Sequence, residues 1–291
     1  MLDPSPVPSP PWLFKGHGWV FFLSPQSPSI TNPFVDHPGT NGQLHGGPGC
    51  LTLYRYTSSP FGPYDELSFS PGWFPYLSPP STTPYRASRI TKSYVSCNGR
   101  GIGHIRKELG IPVEPAKFAW YAPPQSGGEL IVNISKPDGQ HILELLLSQT
   151  SLSRFTINSK SLVSDSIDLG RWACIVQPLV DGNTVSVPRG LEYTPLLERA
   201  PLLKSWSSVT GEGAVVRMKK AVSNAALFPR IEDIGVARWG VCLIDMEMVV
   251  HPAEVVLDVP PLRHPRDQRR LRGCIRLLSW INGLIFQKVG N

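Results

Sequence analysis

Proline constrains this sequence more than any other residue type. The 291 residues include 31 prolines, about twice the usual share, and they are spread along the chain rather than gathered in one linker. Proline has no backbone N–H and interrupts both helix interiors and central strands, so it concentrates in turns, edges and loops. The distribution therefore predicts short strands joined by loops and argues against a helical bundle.

Segments with strand-like composition follow one another at short spacing. The predicted strands are residues 12–23, 51–56, 64–69, 85–96, 128–135, 140–148, 154–157, 174–179, 214–221 and 241–250. The sequence KPDG at residues 136–139 separates two of them and is typical of a hairpin turn. Such spacing favours a barrel or a sandwich. Lys219 and Lys220 are adjacent in a predicted strand, so one of them is expected to point inward. Residues 106–110 are predicted as one helical turn, and residues 191–203 have a mixed pattern.

The charge and cysteine patterns narrow the function classes. The net charge is +6, but most of the excess lies in residues 264–288, so the body of the chain shows no nucleic-acid footprint. The five cysteines are odd in number and lack metal-ligand spacing, which argues against a disulfide framework and a zinc site. The first residues lack a signal-peptide pattern, and no run of about 18 apolar residues is present. A cytoplasmic protein is the default expectation.

Two blocks of sequence carry the most specific signal: GPYDEL at residues 62–67 and GRGIGHIRKELGIPVEPAK at residues 99–117. In order and spacing they resemble the acetoacetate decarboxylase superfamily. Its members have a Tyr-x-Glu on an early strand, followed by Gly-Arg, a short run, a lysine, Leu-Gly and a proline. Lys107 lies seven residues after Arg100, as in that pattern. Residues 228–241, FPRIEDIGVARWGV, also look similar to members of the superfamily.

The resemblance extends over residues 51–256 and implies the fold, a mainly β chain with minor α that forms a closed antiparallel β-barrel with peripheral helices. We expect three parts: a disordered proline- and serine-rich lead at residues 1–11, the barrel domain at residues 12–260, and a basic, then apolar tail at residues 261–291. The tail lies beyond the resemblance. Docking on the barrel or on a second subunit is the preferred interpretation, and binding to a membrane surface is the alternative. We also predict a homo-oligomer.

Acetoacetate decarboxylases remove CO2 from a β-keto acid through a lysine. The amine condenses with the ketone, and the resulting iminium accepts the electrons left when CO2 departs, giving an enamine that is then protonated. The amine must be neutral to attack, so its pKa has to fall from about 10.4, which an apolar pocket or a nearby cation promotes. Acetoacetate decarboxylase is itself a known example of this activation. The resemblance implies a cofactor-independent decarboxylase that uses neither metal nor nucleotide.

The resemblance also assigns roles to residues. Lys107 would be the Schiff-base nucleophile, and Glu66 would be the carboxylate that transfers protons or orients the substrate. Arg106, next to the lysine, would be the neighbouring cation. The candidates for contacting the small-molecule substrate are Tyr64, Arg100, His104 and Arg106.

The sequence departs from the superfamily pattern in four places. His104 replaces a small residue and is a candidate for an added acid–base group. Glu108 replaces a second lysine, and Arg106 replaces the proline before the lysine. The first strand lacks the arginine expected to meet a substrate carboxylate, and Arg55 or Arg89 are alternatives for that role. We therefore expect a β-keto acid larger than acetoacetate, such as a polyketide-derived chain of secondary metabolism. Two alternatives stay open: other Schiff-base chemistry, such as aldol or dehydration steps, and a non-catalytic barrel that binds a small ligand.

Overall fold

The computed structural model describes residues 8–24, 44–77, 85–122, 128–149, 154–158, 163–164, 167–168, 174–178 and 201–258. These residues form one helix and seventeen strands. The helix is α1 (Gly99–Leu109). The strands are β1 (Trp12–Leu23), β2 (Cys50–Ser58), β3 (Tyr64–Ser70), β4 (Trp73–Leu77), β5 (Tyr85–Ser88), β6 (Lys92–Val95), β7 (Val113–Pro115), β8 (Lys117–Tyr121), β9 (Glu129–Ser135), β10 (His141–Gln149), β11 (Phe155–Asn158), β12 (Val163–Ser164), β13 (Ile167–Asp168), β14 (Cys174–Pro178), β15 (Pro201–Ser223), β16 (Val236–Val250) and β17 (Glu254–Asp258).

Fifteen of these strands belong to one hydrogen-bonded sheet, and β12 and β13 form a separate pair. The main path runs β14-β5-β4-β17-β15-β16-β1-β2-β3-β6-β7, while β10 and β11 attach to β15, and β9 and β8 follow β10. The mainly β prediction is confirmed. The predicted closed antiparallel barrel is not, because β7 and β8 do not pair with each other in the described part of the chain. In addition, β6 pairs with β7, and β5 with β14, in parallel.

Helix α1 is longer than the single turn predicted at residues 106–110. It begins after Asn98, whose side-chain oxygen accepts a hydrogen bond from the Gly101 N–H at 2.9 Å, a typical N-cap. It ends at Gly110, which has a left-handed φ of 67° and donates its N–H to the Arg106 carbonyl. The cap at Asn98 therefore places all of the Gly-Arg motif inside the helix.

Strands β2 and β3 divide their side chains between two environments. Side chains of a strand alternate between its faces, and Leu51, Leu53 and Leu67 are fully buried in the largest apolar cluster. The alternate residues, including Tyr56 and Tyr64, belong to a second cluster with Phe14 and residues of α1, or line a cavity beside it. The β2–β3 hairpin thus separates the main core from the candidate site.

Lys219 and Lys220 do not follow the alternation expected of a regular strand. Both are exposed; Lys219 pairs with Glu129, and the Lys220 Nζ lies 3.1 Å from a carboxylate oxygen of Glu144. The register of β15 against β10 shifts between Leu146 and Leu147, and this irregularity interrupts the alternation next to the two lysines. The prediction that one of them points inward is wrong.

No helix in the described residues is long and apolar enough to cross a bilayer. The predicted tail at residues 261–291 lies outside the described residues, as do most of the lead at residues 1–11 and the first ten positions of the mixed segment at residues 191–203. The proposed division into lead, domain and tail therefore stays a prediction.

Candidate active site

A cavity of about 140 Å³ lies beside the β2–β3 hairpin. Its walls come from β1, β2, β3, β5, α1, β14, β15 and β16 and from the segments flanking them. Nine of the described lining residues carry a hydroxyl group: Thr52, Tyr54, Tyr56, Tyr64, Ser68, Ser70, Ser88, Ser205 and Ser207. Glu66 is the only charged residue among the described residues that line the cavity. The site is thus a small space with apolar and hydroxylated walls and one carboxyl group.

The polar wall follows directly from the register of β2 on β3. Four pairs of residues lie opposite each other on the face that lines the cavity, and they alternate with the core-facing residues. The pairs are Cys50 with Ser70, Thr52 with Ser68, Tyr54 with Glu66, and Tyr56 with Tyr64. Because the register fixes these pairs, the carboxyl group of Glu66 lies among hydroxyl groups of both strands.

The Glu66 side chain is held by hydrogen bonds on both carboxyl oxygens. The Ser68 hydroxyl donates to Oε1 at 2.7 Å, and the Tyr64 hydroxyl donates to Oε2 at 3.4 Å. Ser68 is in turn 2.9 Å from the Ser93 hydroxyl of β6. Burial raises the pKa of Glu66, and the bonds from Ser68 and Tyr64 offset part of that rise. The carboxyl group is oriented and keeps its proton at a higher pH than an exposed glutamate does.

The stability of the Glu66→Gln variant relative to the wild type should increase as the pH rises. The folded-state pKa of Glu66 lies above the unfolded value, so its contribution to stability is present at low pH and is lost as pH rises through the folded-state pKa. Glutamine carries no charge at any pH. Differential scanning calorimetry should give similar Tm values for Glu66→Gln and wild type near pH 4, below the unfolded-state pKa of about 4.3, and a Tm higher by a few degrees for the variant at about pH 8. A Tm difference that does not change with pH would contradict this assignment.

Aromatic rings pack tightly around the Glu66 end of the cavity. The ring centroids of Tyr56 and Tyr64 are 4.8 Å apart, those of Phe14 and Tyr56 are 5.0 Å apart, and those of Tyr54 and Tyr56 are 5.4 Å apart and stacked. Burial, and then the charge of Glu66, raises the pKa of Tyr56 and Tyr64 well above the ordinary value. These phenols are protonated at neutral pH, and the Tyr64 hydroxyl donates its hydrogen to Glu66.

Lys107 does not line the cavity. Helix α1 faces the cavity with Ile105 and Leu109, which are four residues apart and therefore on the same face. Lys107 lies midway between them in sequence, about 200° around the helix axis from each, and its side chain is exposed. The predicted nucleophile and the predicted carboxylate Glu66 are thus on opposite sides of the cavity wall in this conformation.

Comparison with known proteins gives a clear answer for the fold. No protein-family model and no curated protein sequence matches the chain. Acetoacetate decarboxylase matches in structure with a TM-score of 0.56 at 12% identity, covering 88% of this chain and 93% of that one. The chain has the acetoacetate decarboxylase fold.

Two further solved structures share this fold. The enduracididine biosynthesis enzyme MppR, complexed with pyruvate, matches with a TM-score of 0.52 at 12% identity, covering 87% of this chain and 93% of that one. An acetoacetate decarboxylase-like enzyme from Sphingomonas wittichii matches with a TM-score of 0.51 at 11% identity, covering 89% and 98%. At this level of identity the likeness establishes the acetoacetate decarboxylase fold and leaves the reaction to be argued from the site.

The other predicted residues of α1 also lie outside the cavity lining. The Arg106 guanidinium donates through two nitrogens to the Val113 carbonyl, at 2.8 and 3.1 Å, and so links the helix to β7. His104 stacks on Phe61 with ring centroids 6.3 Å apart, and Arg100 is exposed in the first turn. Of the six predicted site residues, the structure brings only Glu66 and Tyr64 together at the cavity. Their catalytic and binding roles, like that of Lys107, stay predictions.

Neither alternative arginine lines the cavity. Arg55 lies over the Trp120 ring, 5.2 Å from its centroid, on the face of β2 opposite the cavity. Arg89 is fully buried; its Nε donates to the Val176 carbonyl at 3.3 Å, and its guanidinium lies 4.3 Å from the Phe74 ring centroid. Ser88 and Ile90, on either side of Arg89, do line the cavity.

The sequence prediction missed most of the hydroxylated wall. The signal was available in β2 and β3, where CLTLYRYT and YDELSFS alternate between aliphatic or aromatic residues and hydroxylated ones. The period of two predicts that Thr52, Tyr54, Ser68 and Ser70 share one face with Glu66. Ser88, Ser205 and Ser207 come from distant strands and had no local signal.

Proposed function

We propose that this chain is an enzyme that breaks a bond β to a carbonyl group of a small molecule, with Glu66 as its proton-transfer group. The observation that carries the proposal is the Glu66 carboxyl group, whose pKa is raised by burial and which is the one charged group among the described cavity residues. Perturbed carboxyl groups in cavities are typical of acid–base catalysts. The hydrogen bonds from Ser68 and Tyr64 orient it.

The fold supports the same class of reaction. Acetoacetate decarboxylase removes CO2 from a β-keto acid. MppR has also been solved with the condensation product of pyruvate and imidazole 4-carboxaldehyde. That structure matches this chain with a TM-score of 0.51 at 12% identity, covering 85% of this chain and 90% of that one. Decarboxylation, aldol cleavage and dehydration all pass through an enol, enolate or enamine. An acid–base group beside the carbonyl oxygen serves each of them.

The chemistry can be written for a β-keto acid with Glu66 alone. As the C–C bond to the carboxylate breaks, its electron pair forms the enol double bond and the Glu66 proton moves to the ketone oxygen. CO2 leaves, and Glu66 becomes a carboxylate. Glu66 then takes the proton back from the enol oxygen while a proton from water adds to carbon. The sum is loss of CO2 with uptake of one proton, and Glu66 returns to its starting form.

The direct test of the proposal is hydrogen exchange at the carbon next to a carbonyl. Butanone in D2O exchanges these protons slowly without a catalyst, and an enzyme that forms an enol accelerates the exchange even when no bond is broken. The loss of the proton signals is followed by NMR. A protein that binds butanone without accelerating exchange would be a ligand-binding protein rather than an enzyme of this class.

Lys107 should be dispensable for this reaction. Since its side chain is exposed and outside the cavity lining, Lys107→Ala should keep the wild-type exchange rate, and borohydride reduction in the presence of a β-keto acid should leave no adduct on Lys107. Mass spectrometry of the digested protein checks this. Gly103, which is exposed about one helical turn before Lys107, is changed to alanine as a matched control for disturbance of the helix. An adduct on Lys107, absent in Lys107→Ala, would replace the Glu66 mechanism by the Schiff-base route that the resemblance implies.

A further inference from the structure

A second buried hydroxyl group lies behind the one that holds Glu66. Ser68 of β3 and Ser93 of β6 are directly opposite each other in the register of the two strands, and their hydroxyl oxygens are 2.9 Å apart. Ser93 is fully buried and does not line the cavity. Bulk water therefore does not reach this hydroxyl group, and Ser68 is the partner that the described structure gives it.

The direction of these hydrogen bonds follows from the number of hydrogens available. A serine hydroxyl group has one hydrogen to donate and two lone pairs that accept. The Ser68 hydroxyl gives its hydrogen to Oε1 of Glu66 at 2.7 Å, so the hydrogen in the 2.9 Å contact comes from Ser93. The hydrogen-bond chain runs from Ser93 through Ser68 to the carboxylate, and each donated bond strengthens the next one.

This chain stabilises the ionised form of Glu66 more than the protonated form, because a hydrogen bond donated to a carboxylate is stronger than one to a neutral group. Burial raises the pKa of Glu66, and the bond from Ser68 opposes that rise. When Glu66 is protonated, the two serine hydroxyl groups can rotate and reverse the chain while every oxygen keeps its place. Glu66 thus has a partner in both states through which a proton-transfer group passes.

The described groups that face Glu66 leave it alone in the range of pH around neutrality. The titratable groups whose charge interacts with Glu66 are the phenols of Tyr54, Tyr56 and Tyr64 and the thiol of Cys97. Burial raises the pKa of all four, to about 12 for Cys97. Outside β2 and β3, the described cavity residues include no titratable side chain. A titration at this site between about pH 4 and pH 9 therefore reports on Glu66 itself.

We propose that Ser93 is a positioning residue, which acts through Ser68 to fix the Glu66 carboxyl group and to favour its ionised form. The inference rests on the proposed function, since it concerns how the proton-transfer group is held. In the decarboxylation proposed for this site, Glu66 gives its proton to the ketone oxygen and becomes a carboxylate. A hydrogen-bond chain that stabilises the carboxylate makes this transfer easier.

The titration of Glu66 tests the chain whether or not the protein is active. The full chain, labelled with 13C at the glutamate carboxyl carbons, is followed by NMR, and the Glu66 signal is the one lost in Glu66→Gln. In Ser93→Ala the pH midpoint of that signal should rise, so that the protonated fraction well above the midpoint is about threefold higher than in the wild type. Ser93→Thr, which restores the hydroxyl group, should return the midpoint toward the wild-type value.

Ser88→Ala is the matched control for this titration. Ser70 of β3 and Ser88 of β5 form another buried pair of hydroxyl groups, 2.5 Å apart, and Ser70 is two residues along β3 from Ser68. The described hydrogen bonds of that pair do not include Glu66, so the variant should leave the Glu66 midpoint unchanged. Equal shifts in Ser88→Ala and Ser93→Ala would mean that the loss of any buried hydroxyl group disturbs Glu66, and would overturn the inference.

The remaining outcomes separate this inference from the proposed function. An unchanged midpoint in Ser93→Ala, in a protein whose butanone exchange is lost in Glu66→Gln, would overturn the inference and leave the proposed function standing. A midpoint that rises in Ser93→Ala and returns in Ser93→Thr, in a protein that binds butanone without exchange, would overturn the proposed function and keep the hydrogen-bond chain. A midpoint that stays raised in Ser93→Thr would trace the shift to packing rather than to the hydroxyl group, and would also overturn the inference.

Discussion

Glu66→Gln should lower the rate of butanone hydrogen exchange by about a hundredfold or more, the usual contribution of a positioned acid–base group. Glutamine keeps the shape of the side chain; its oxygen can accept a hydrogen bond from one of the two hydroxyl groups, Ser68 and Tyr64, that hold the carboxyl oxygens in the wild type, and its amide nitrogen can donate to the other. It cannot take or release a proton. The variant should therefore stay folded, and near pH 8 it should be more stable than the wild type, while it loses the exchange activity.

Asp65→Asn is the matched control for this prediction. Asp65 is the preceding residue on β3, its carboxyl group is also partly buried, and burial raises its pKa, with Trp120 and Arg55 acting in the opposite direction. Because neighbouring residues on a strand point to opposite faces, Asp65 does not line the cavity. Asp65→Asn should keep the wild-type exchange rate. Equal losses in both variants would mean that exchange follows general damage to β3, and an active Glu66→Gln would remove Glu66 from the mechanism.

The carboxylate half of the site could be predicted from sequence because it depends on local alternation. Residues 64–70 form one strand whose side chains alternate between its two faces with a period of two. Leu67 faces the core, so the pattern alone places its neighbour Glu66 on the other face. Its partner strand β2 has the same period, and their register joins Tyr54 to Glu66. One strand and its neighbour are sufficient to place the carboxyl group on a hydroxylated face.

The lysine half of the site depended on where the helix begins. A spacing of seven residues after Arg100 identifies Lys107 in the sequence, but the face on which it lies is set by the helical phase. Asn98 caps the helix eight positions before Arg106, and from that start Ile105 and Leu109 occupy the face toward the cavity. A single turn at residues 106–110 left that phase undefined. The spacing from Arg100 to Lys107 therefore does not say which face of the helix carries the lysine, whereas strand alternation does say which face of β3 carries Glu66.

The remaining wall comes from contacts between residues that are far apart in the chain. Ser88 of β5 pairs with Ile175 of β14, and β14 pairs with the first part of β15, which contributes Ser205. Parallel and long-range pairings of this kind have no local sequence signal, because the strand that pairs with a given segment depends on the arrangement of all the other strands in the sheet. Within the described ranges β7 and β8 do not pair with each other, which is a further case, since strand spacing alone does not distinguish an open sheet from a closed one.

Gly110→Ala should destabilise the protein by about 3 kcal/mol, from the cost of a left-handed alanine together with that of overpacking. Gly110 ends helix α1 with a φ of 67°, a conformation that residues with a Cβ rarely adopt. A Cβ there would lie 2.5 Å from the Pro178 carbonyl oxygen and 2.9 Å from the Gln177 Cβ. Both atoms belong to β14, the strand whose residue Ile175 lines the cavity. The substitution should therefore push helix α1 away from β14.

Gly103→Ala, in the same helix, separates this effect from helix propensity. A Cβ at Gly103 would have no heavy atom within 4 Å, and alanine should stabilise an exposed helix interior by about 0.5–1 kcal/mol relative to glycine. The urea concentration at the unfolding midpoint should therefore fall for Gly110→Ala and rise for Gly103→Ala. Weaker butanone binding by Gly110→Ala, with wild-type binding by Gly103→Ala, would show that contact between α1 and β14 shapes the cavity. If Gly110→Ala were as stable as the wild type, the helix end could shift without cost, and α1 would not be fixed against β14 in the way that places Lys107 outside the site.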